Sequence, residues 1–184
     1  MQMYADENIL RRSLPYGYVK ESTPKNGNCM LEAIKSNYHD LLNIAGDYFA
    51  TRLPASEMRE FVVKKLRSCS ELQEFYAGCD YRGVAMPYNQ YIDGIAEEDA
   101  WLGHVEMQVI ANELDICIVV VPTTQALPIV VMNGDHVNTR QIPIAYDGSH
   151  YMTIKGPNGC CEGLPMQFLI GAYGVNTDAV QMFR

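Results

Sequence analysis

The run Ile116-Cys-Ile-Val-Val-Val121 constrains this chain more than any other stretch. It is β-branched and almost wholly apolar, the composition of a buried central strand, and Pro122 closes it. More strand signals follow. Ile129 to Met132 reads as a second strand, with Asn133-Gly134 supplying a turn. Gln141 to Tyr146 and Ser149 to Lys155 read as a hairpin across Asp147-Gly148, a dipeptide suited to a tight type I′ turn.

The preceding two thirds of the sequence has a different texture. Met30, Ile34 and Leu41 recur at helical spacing in a helix expected from Cys29 to about Asp40. A longer helix is expected to start at Ser56 as N-cap, with Met58, Phe61, Val62 and Leu66 as its apolar stripe. It is expected to run on through Leu72 to Tyr76 until Gly78 ends it. Pro87 can open a helix carrying Tyr88, Tyr91, Ile92 and Ile95. Gly103 to Leu114 repeats Met107, Ile110, Ala111 and Leu114 at i, i+3, i+4 and i+7. Helices first and strands last describe an α+β fold. No element is assigned to residues 156–184.

No repeat or Gly/Ser- or Pro-rich linker divides the 184 residues, so residues 1–184 are read as one domain. A net charge of -8 argues against a nucleic-acid or anionic-membrane partner and fits one that presents basic residues, or serves solubility alone. The longest aliphatic stretch falls far short of the ~20 residues that span a bilayer. Asp6 and Glu7 stand where a secretion signal needs basic and then apolar residues. None of the six cysteines forms a C-x-x-C pair, and the adjacent Cys160 and Cys161 are poorly placed to share a metal. Reduced thiols, a cytoplasmic location, a monomer and no metal or cofactor are the expectations.

Chemistry concentrates in Asn26-Gly-Asn-Cys29. A cysteine attacks as thiolate, and a free pKa of about 8.5 leaves little of it at neutral pH. The first turn of a helix lowers that pKa through its dipole and unpaired amides. Asn28 can cap the helix, Gly27 lets the loop come close to substrate, and the loop amides can converge on an oxyanion. The same segment also describes an ordinary capped helix that happens to begin with Cys. Of the four histidines, His39 lies ten residues along the same helix, roughly 15 Å away. His104 opens a helix and His136 falls in a turn. His150 follows the Asp147-Gly148 turn at the start of a strand, from which an imidazole can point across a cleft. Taken alone, it also suits a structural role.

Three segments, in order and spacing, resemble the ovarian-tumour (OTU) family of cysteine proteases. The family's Asp-Gly-Asn-Cys loop and helix is similar to Asn26-Gly27-Asn28-Cys29-Met-Leu-Glu-Ala-Ile34. Its Trp-Gly-x-x-Glu block, followed by an aliphatic strand, is similar to Trp101-Leu-Gly-His-Val-Glu106 and then Ile116 to Val121. Its closing His-aromatic pair is similar to His150-Tyr151. These segments span Thr23 to Ile154, about seven tenths of the chain.

The resemblance implies a papain-like α+β fold, with helices packed on a small, mostly antiparallel sheet. It implies hydrolysis of the isopeptide or peptide bond after the C-terminal Gly-Gly of ubiquitin or a ubiquitin-like modifier. Cys29 would be nucleophile and His150 general base, with Asn26 at the position whose backbone helps form the oxyanion hole. Trp101 and Tyr151 would contact substrate, and Glu106 would be structural. Three departures stand out: Asn26 replaces Asp, Leu102 replaces the Gly after Trp101, and Met152 stands where many members orient the histidine with Asp or Asn. A thioether is a weak acceptor, so either a Cys–His dyad or an unusual third member is expected, with Asp147, Asn26 and Asn28 as candidates. Two other readings use the same residues: a viral-type polyprotein-processing protease, and a catalytically weak ubiquitin-binding module of the same fold.

Overall fold

The computed structural model describes residues 14–45, 54–80, 82–123, 129–158 and 163–173. A short strand β1 (Val19–Glu21) precedes four helices, α1 (Cys29–Ala45), α2 (Ala55–Ser68), α3 (Tyr88–Ile95) and α4 (His104–Glu113). Strands β2 (Cys117–Pro122), β3 (Val130–Met132), β4 (Gln141–Tyr146) and β5 (Tyr151–Lys155) follow, and then helix α5 (Met166–Tyr173). The five strands form one sheet in the order β1-β5-β4-β2-β3. Among the described residues, β2 and β4 run parallel and the other neighbours are antiparallel. This is the expected α+β architecture.

The apolar run sits where its composition demands. All six residues of β2 are buried. Ile118 and Val120 pack into a core with α1 to α4, while Cys117, Val119 and Val121 face a second cluster that includes Leu164 and Leu169. Alternate side chains thus enter two cores, which is why the run lacks the polar alternation of a one-sided strand. Burial pushes the Cys117 thiol up to about 12, so it packs as a small hydrophobe.

Helix α1 is fixed to the sheet by polar contacts as well as by its apolar face. Asn37, fully buried, donates from Nδ2 to the carbonyls of Pro143 (3.2 Å) and Ile154 (2.8 Å). Thr153 Oγ1 donates to Ala33 O at 3.4 Å. These bonds fix α1 relative to β4 and β5, and so set where its first residue, Cys29, meets the start of β5.

Three sequence expectations need correction. Pro54, not Ser56, is the N-cap of α2, and it makes no side-chain cap bond. Its fixed φ and extended ψ deliver the chain into the helix, leaving Ser56 on the exposed first turn. Helix α2 stops at Ser68, because Cys69 is extended (φ -119°), and a separate 3-10 segment covers Ser70–Phe75. The β4–β5 connection is a four-residue loop, Asp147 to His150, in place of a two-residue type I′ turn. Only Gly148 in that loop has positive φ (97°), whereas type I′ needs two such residues. Strand β1 was not foreseen; its three residues are all exposed. Cys160 and Cys161 lie outside the described residues.

Candidate active site

The segment before α1 is a compact turn held from behind by Arg59 of α2. Asn26 O accepts the Cys29 amide (3.1 Å), and Asn26 Oδ1 accepts the Asn28 amide (3.0 Å). The Asn28 carbonyl accepts the Glu32 amide at 2.9 Å, so its backbone occupies the cap position. Its side chain does not cap: Oδ1 instead takes the Arg59 guanidinium at 2.8 and 3.2 Å. The buried Arg59 also donates to Gly27 O (2.9 Å), Ala100 O (2.9 Å) and Ile95 O (2.8 Å). A single guanidinium therefore ties the Cys29 loop to the end of α3 and to the loop entering Trp101. Burial lowers the Arg59 pKa from its ordinary value, and the negative charges of Glu106, Glu98 and Asp99 oppose that shift.

Gly27 is required by space. A Cβ there would fall 2.4 Å from the Asp99 carbonyl carbon and 2.7 Å from Ala100 O. Glu106 braces the same region. Its Oε2 accepts the Gly103 amide (2.6 Å) and its Oε1 the Tyr91 hydroxyl (2.5 Å), a structural role as expected.

The opposite wall is the loop from Asp147 to His150. Asp147 Oδ1 accepts the amides of Ser149 (2.9 Å) and His150 (2.7 Å) and the Ser149 hydroxyl (3.1 Å). Burial raises the Asp147 pKa, but these bonds and the charge of His150 outweigh it, and the net shift is downward. His150 is 5% exposed. Its Nε2 lies 3.2 Å from Thr23 Oγ1, whose hydroxyl is 2.6 Å from Tyr151 O.

Cys29 meets the backbone of Tyr151 at the start of β5. The amides of Tyr151, Met30 and Cys29 itself bear on the Cys29 sulfur and favour its charged form. Burial is the larger effect, and with the nearby charge of Asp147 it raises the thiol pKa overall. The sequence expectation of a lowered pKa therefore holds for the amides alone, and burial shifts the thiol the other way.

At Tyr151 opens a cleft of about 790 Å³, lined also by Trp101, Leu102, His104, Tyr146 and Ser149, among others. Tyr146 and Tyr151 stack with centroids 4.6 Å apart. Leu102, the departure noted beside Trp101, is 5% exposed and belongs to the core while edging the cleft. Among the described residues, no three His, Cys, Asp or Glu side chains gather as metal ligands would.

The sequence-nominated residues thus divide. Cys29 meets the amide of Tyr151, the residue after His150; Trp101 and Tyr151 share the cleft, and Asn26 shapes the loop. Of the candidates for orienting His150, Asn26 and Asn28 hold the loop, and Asp147 Oδ1 takes the Ser149 and His150 amides. Met152 packs with the second core cluster. His136 pairs with Asp115 at 2.7 Å. Thr23 and Arg59 were missed, because nothing local in Ser22-Thr-Pro24 or in the polar half of α2 signals a partner 127 or 32 positions away.

A cysteine at the head of a helix and a histidine at a strand start, distant in sequence, are the elements that a papain-like cysteine protease uses. The sequence signature of the OTU-like cysteine proteases matches residues 24–152, and the chain belongs to that family. Among solved structures it is similar to an OTU deubiquitinase from Wolbachia pipientis wMel bound to ubiquitin. There the TM-score is 0.59 at 13% identity, over 78% of this chain and 99% of that one. An ovarian tumour domain in complex with ubiquitin gives 0.58 at 17% identity over 95% of both chains. The viral OTU domain protease from Farallon virus gives 0.55 at 19% identity, over 77% and 85%. At these identities the likeness is one of fold. No curated protein sequence matches the chain.

Proposed function

We propose that this OTU-family protease cleaves the bond after the C-terminal Gly-Gly of ubiquitin or a ubiquitin-like modifier, with Cys29 as nucleophile and His150 as base. The observation that carries the reading is the Tyr151 amide bearing on the Cys29 sulfur, one residue along the chain from the buried His150. With Nε2 beside Thr23, Nδ1 is the ring nitrogen left to serve the thiol. His150 Nδ1 takes the thiol proton as the sulfur attacks the scissile carbonyl. The tetrahedral oxyanion collapses, and the imidazolium returns the proton to the leaving amine. Water, deprotonated by the same imidazole, then releases the acid from the thioester.

A raised thiol pKa suits this order, since the proton moves as attack occurs. Asn26 contributes through its loop: a small shift of its carbonyl away from the Cys29 amide would turn that amide onto the oxyanion. Trp101 and Tyr151 give the cleft apolar, aromatic walls that suit a slim glycine tail. The net charge of -8 suits a modifier with a basic face, and two of the structural relatives were solved with ubiquitin.

Incubation with ubiquitin carrying a C-terminal fluorogenic amide tests the reading. The expected result is release of the fluorophore, lost in Cys29→Ala and His150→Ala. A folded protein that binds ubiquitin yet releases nothing would replace the enzyme with a binding module.

A further inference from the structure

We propose that Thr23 is the third member of the catalytic set, a positioning residue that holds His150 by hydroxyl where a carboxylate or amide is expected. The inference rests on the reading of Cys29 and His150 given above, and its argument is a count of protons. The Thr23 hydroxyl has one hydrogen. Tyr151 O, a carbonyl and hence only an acceptor, lies 2.6 Å from Oγ1 and takes that hydrogen. Towards His150 Nε2, at 3.2 Å, the Thr23 oxygen can then only accept. The ring must carry its hydrogen on Nε2, which leaves the lone pair of neutral imidazole on Nδ1. One hydroxyl thus fixes both ring orientation and tautomer, the two tasks an orienting Asp or Asn performs elsewhere.

The backbone places Thr23 for this task. Strand β1 pairs with β5 in the register Val19↔Lys155, Lys20↔Ile154 and Glu21↔Thr153. Continued by two positions, that register sets Thr23 opposite Tyr151, one residue from His150. Pro24 then turns the chain towards Asn26 and Cys29. Strand β1 is short and exposed, yet it delivers a buried hydroxyl to the ring. The charge of Asp147 bears on both Cys29 and His150, but its Oδ1 is held by backbone amides of its own loop. A hydroxyl acceptor supports imidazolium without adding a net charge beside the thiol.

The test reads Cys29 reactivity without a protein substrate. Cys29 alkylation by iodoacetamide is followed by peptide mass spectrometry from about pH 5 to about pH 9 in wild type, Thr23→Val and Thr23→Ser. Cys69 serves as internal control, and thermal melting reports folding. Thr23→Val should slow Cys29 alkylation at neutral pH about tenfold, the loss expected for one hydrogen bond to a charged group. Thr23→Ser, which restores the hydroxyl, should stay within about twofold of wild type. Folded Thr23→Val that alkylates like wild type at every pH would overturn the proposal, as would Thr23→Ser impaired as badly as Thr23→Val. If the expected pattern holds while ubiquitin reagents fail to react, the substrate reading falls and the role of Thr23 stands.

Discussion

Gly27 illustrates how tightly the nucleophile loop is set. Its Cα faces the backbone of Asp99 and Ala100 with no room for a methyl group, so the contact is between two main chains and neither can yield cheaply. Gly27→Ala should push the loop off Arg59 and misplace Cys29. The expected outcome is a fall in kcat/KM of about a hundredfold, the scale of an ångström's misplacement, with a smaller loss of thermal stability. Kinetics beside a melting curve will separate the two effects. At this scale the sequence was informative where chemistry is local. Asn26-Gly-Asn-Cys29 announces a turn and a helix start, and His150 stands apart from the other histidines by its strand context. It was uninformative where one residue acts on another far along the chain. The thiol pKa shows the limit: the helix terminus is readable, but the burial that outweighs it belongs to the tertiary fold.

At the scale of elements, α2 is the clearest case of a helix with two tasks. Its apolar stripe, Met58, Val62 and Leu66, packs in the core as the periodicity requires. Arg59 sits one residue off that stripe, where the apolar periodicity gives it no partner. Instead its donors reach four acceptors on three segments. Lysine cannot span that set, having three donors on one nitrogen. Arg59→Lys should therefore lower kcat more than it changes KM. Arg59→Met should cost about 3 kcal/mol or more of stability, as breaking a buried polar hub does. Chemical denaturation and steady-state kinetics check both. The loop from Asp147 to His150 carries a pH signature. Its carboxyl pKa is depressed below 3.8, so it adds stability above that value, and this is lost as pH falls through the folded pKa. Asp147→Asn should be less stable than wild type at neutral pH, and the gap should close on acidification. Because the Asp147 charge also opposes the thiolate, the same variant should alkylate at Cys29 faster.

For the whole molecule, the order of helices before strands and the apolar β2 run made the α+β class readable. Both follow from hydrophobic periodicity, which reports the side-chain environment directly. The sheet order was not readable. It depends on β1 returning to pair with β5 across more than a hundred residues, through a strand too short and polar to show any alternation. That pairing brings Thr23 to His150, so the part of the site hidden from the sequence is the part made by topology. Cys29 at the head of α1 is set against the start of β5 by the Asn37 and Thr153 bonds that pin α1 to the sheet.

The central claim is that Cys29 attacks the tail of a ubiquitin-like modifier. It is tested most directly by incubating the protein with ubiquitin that bears a thiol-reactive group in place of its terminal glycine, and reading the intact mass. The account predicts a gain of one ubiquitin in the wild type and none in Cys29→Ala. A gain that persists in Cys29→Ala, or no gain from folded protein that binds ubiquitin, would contradict it.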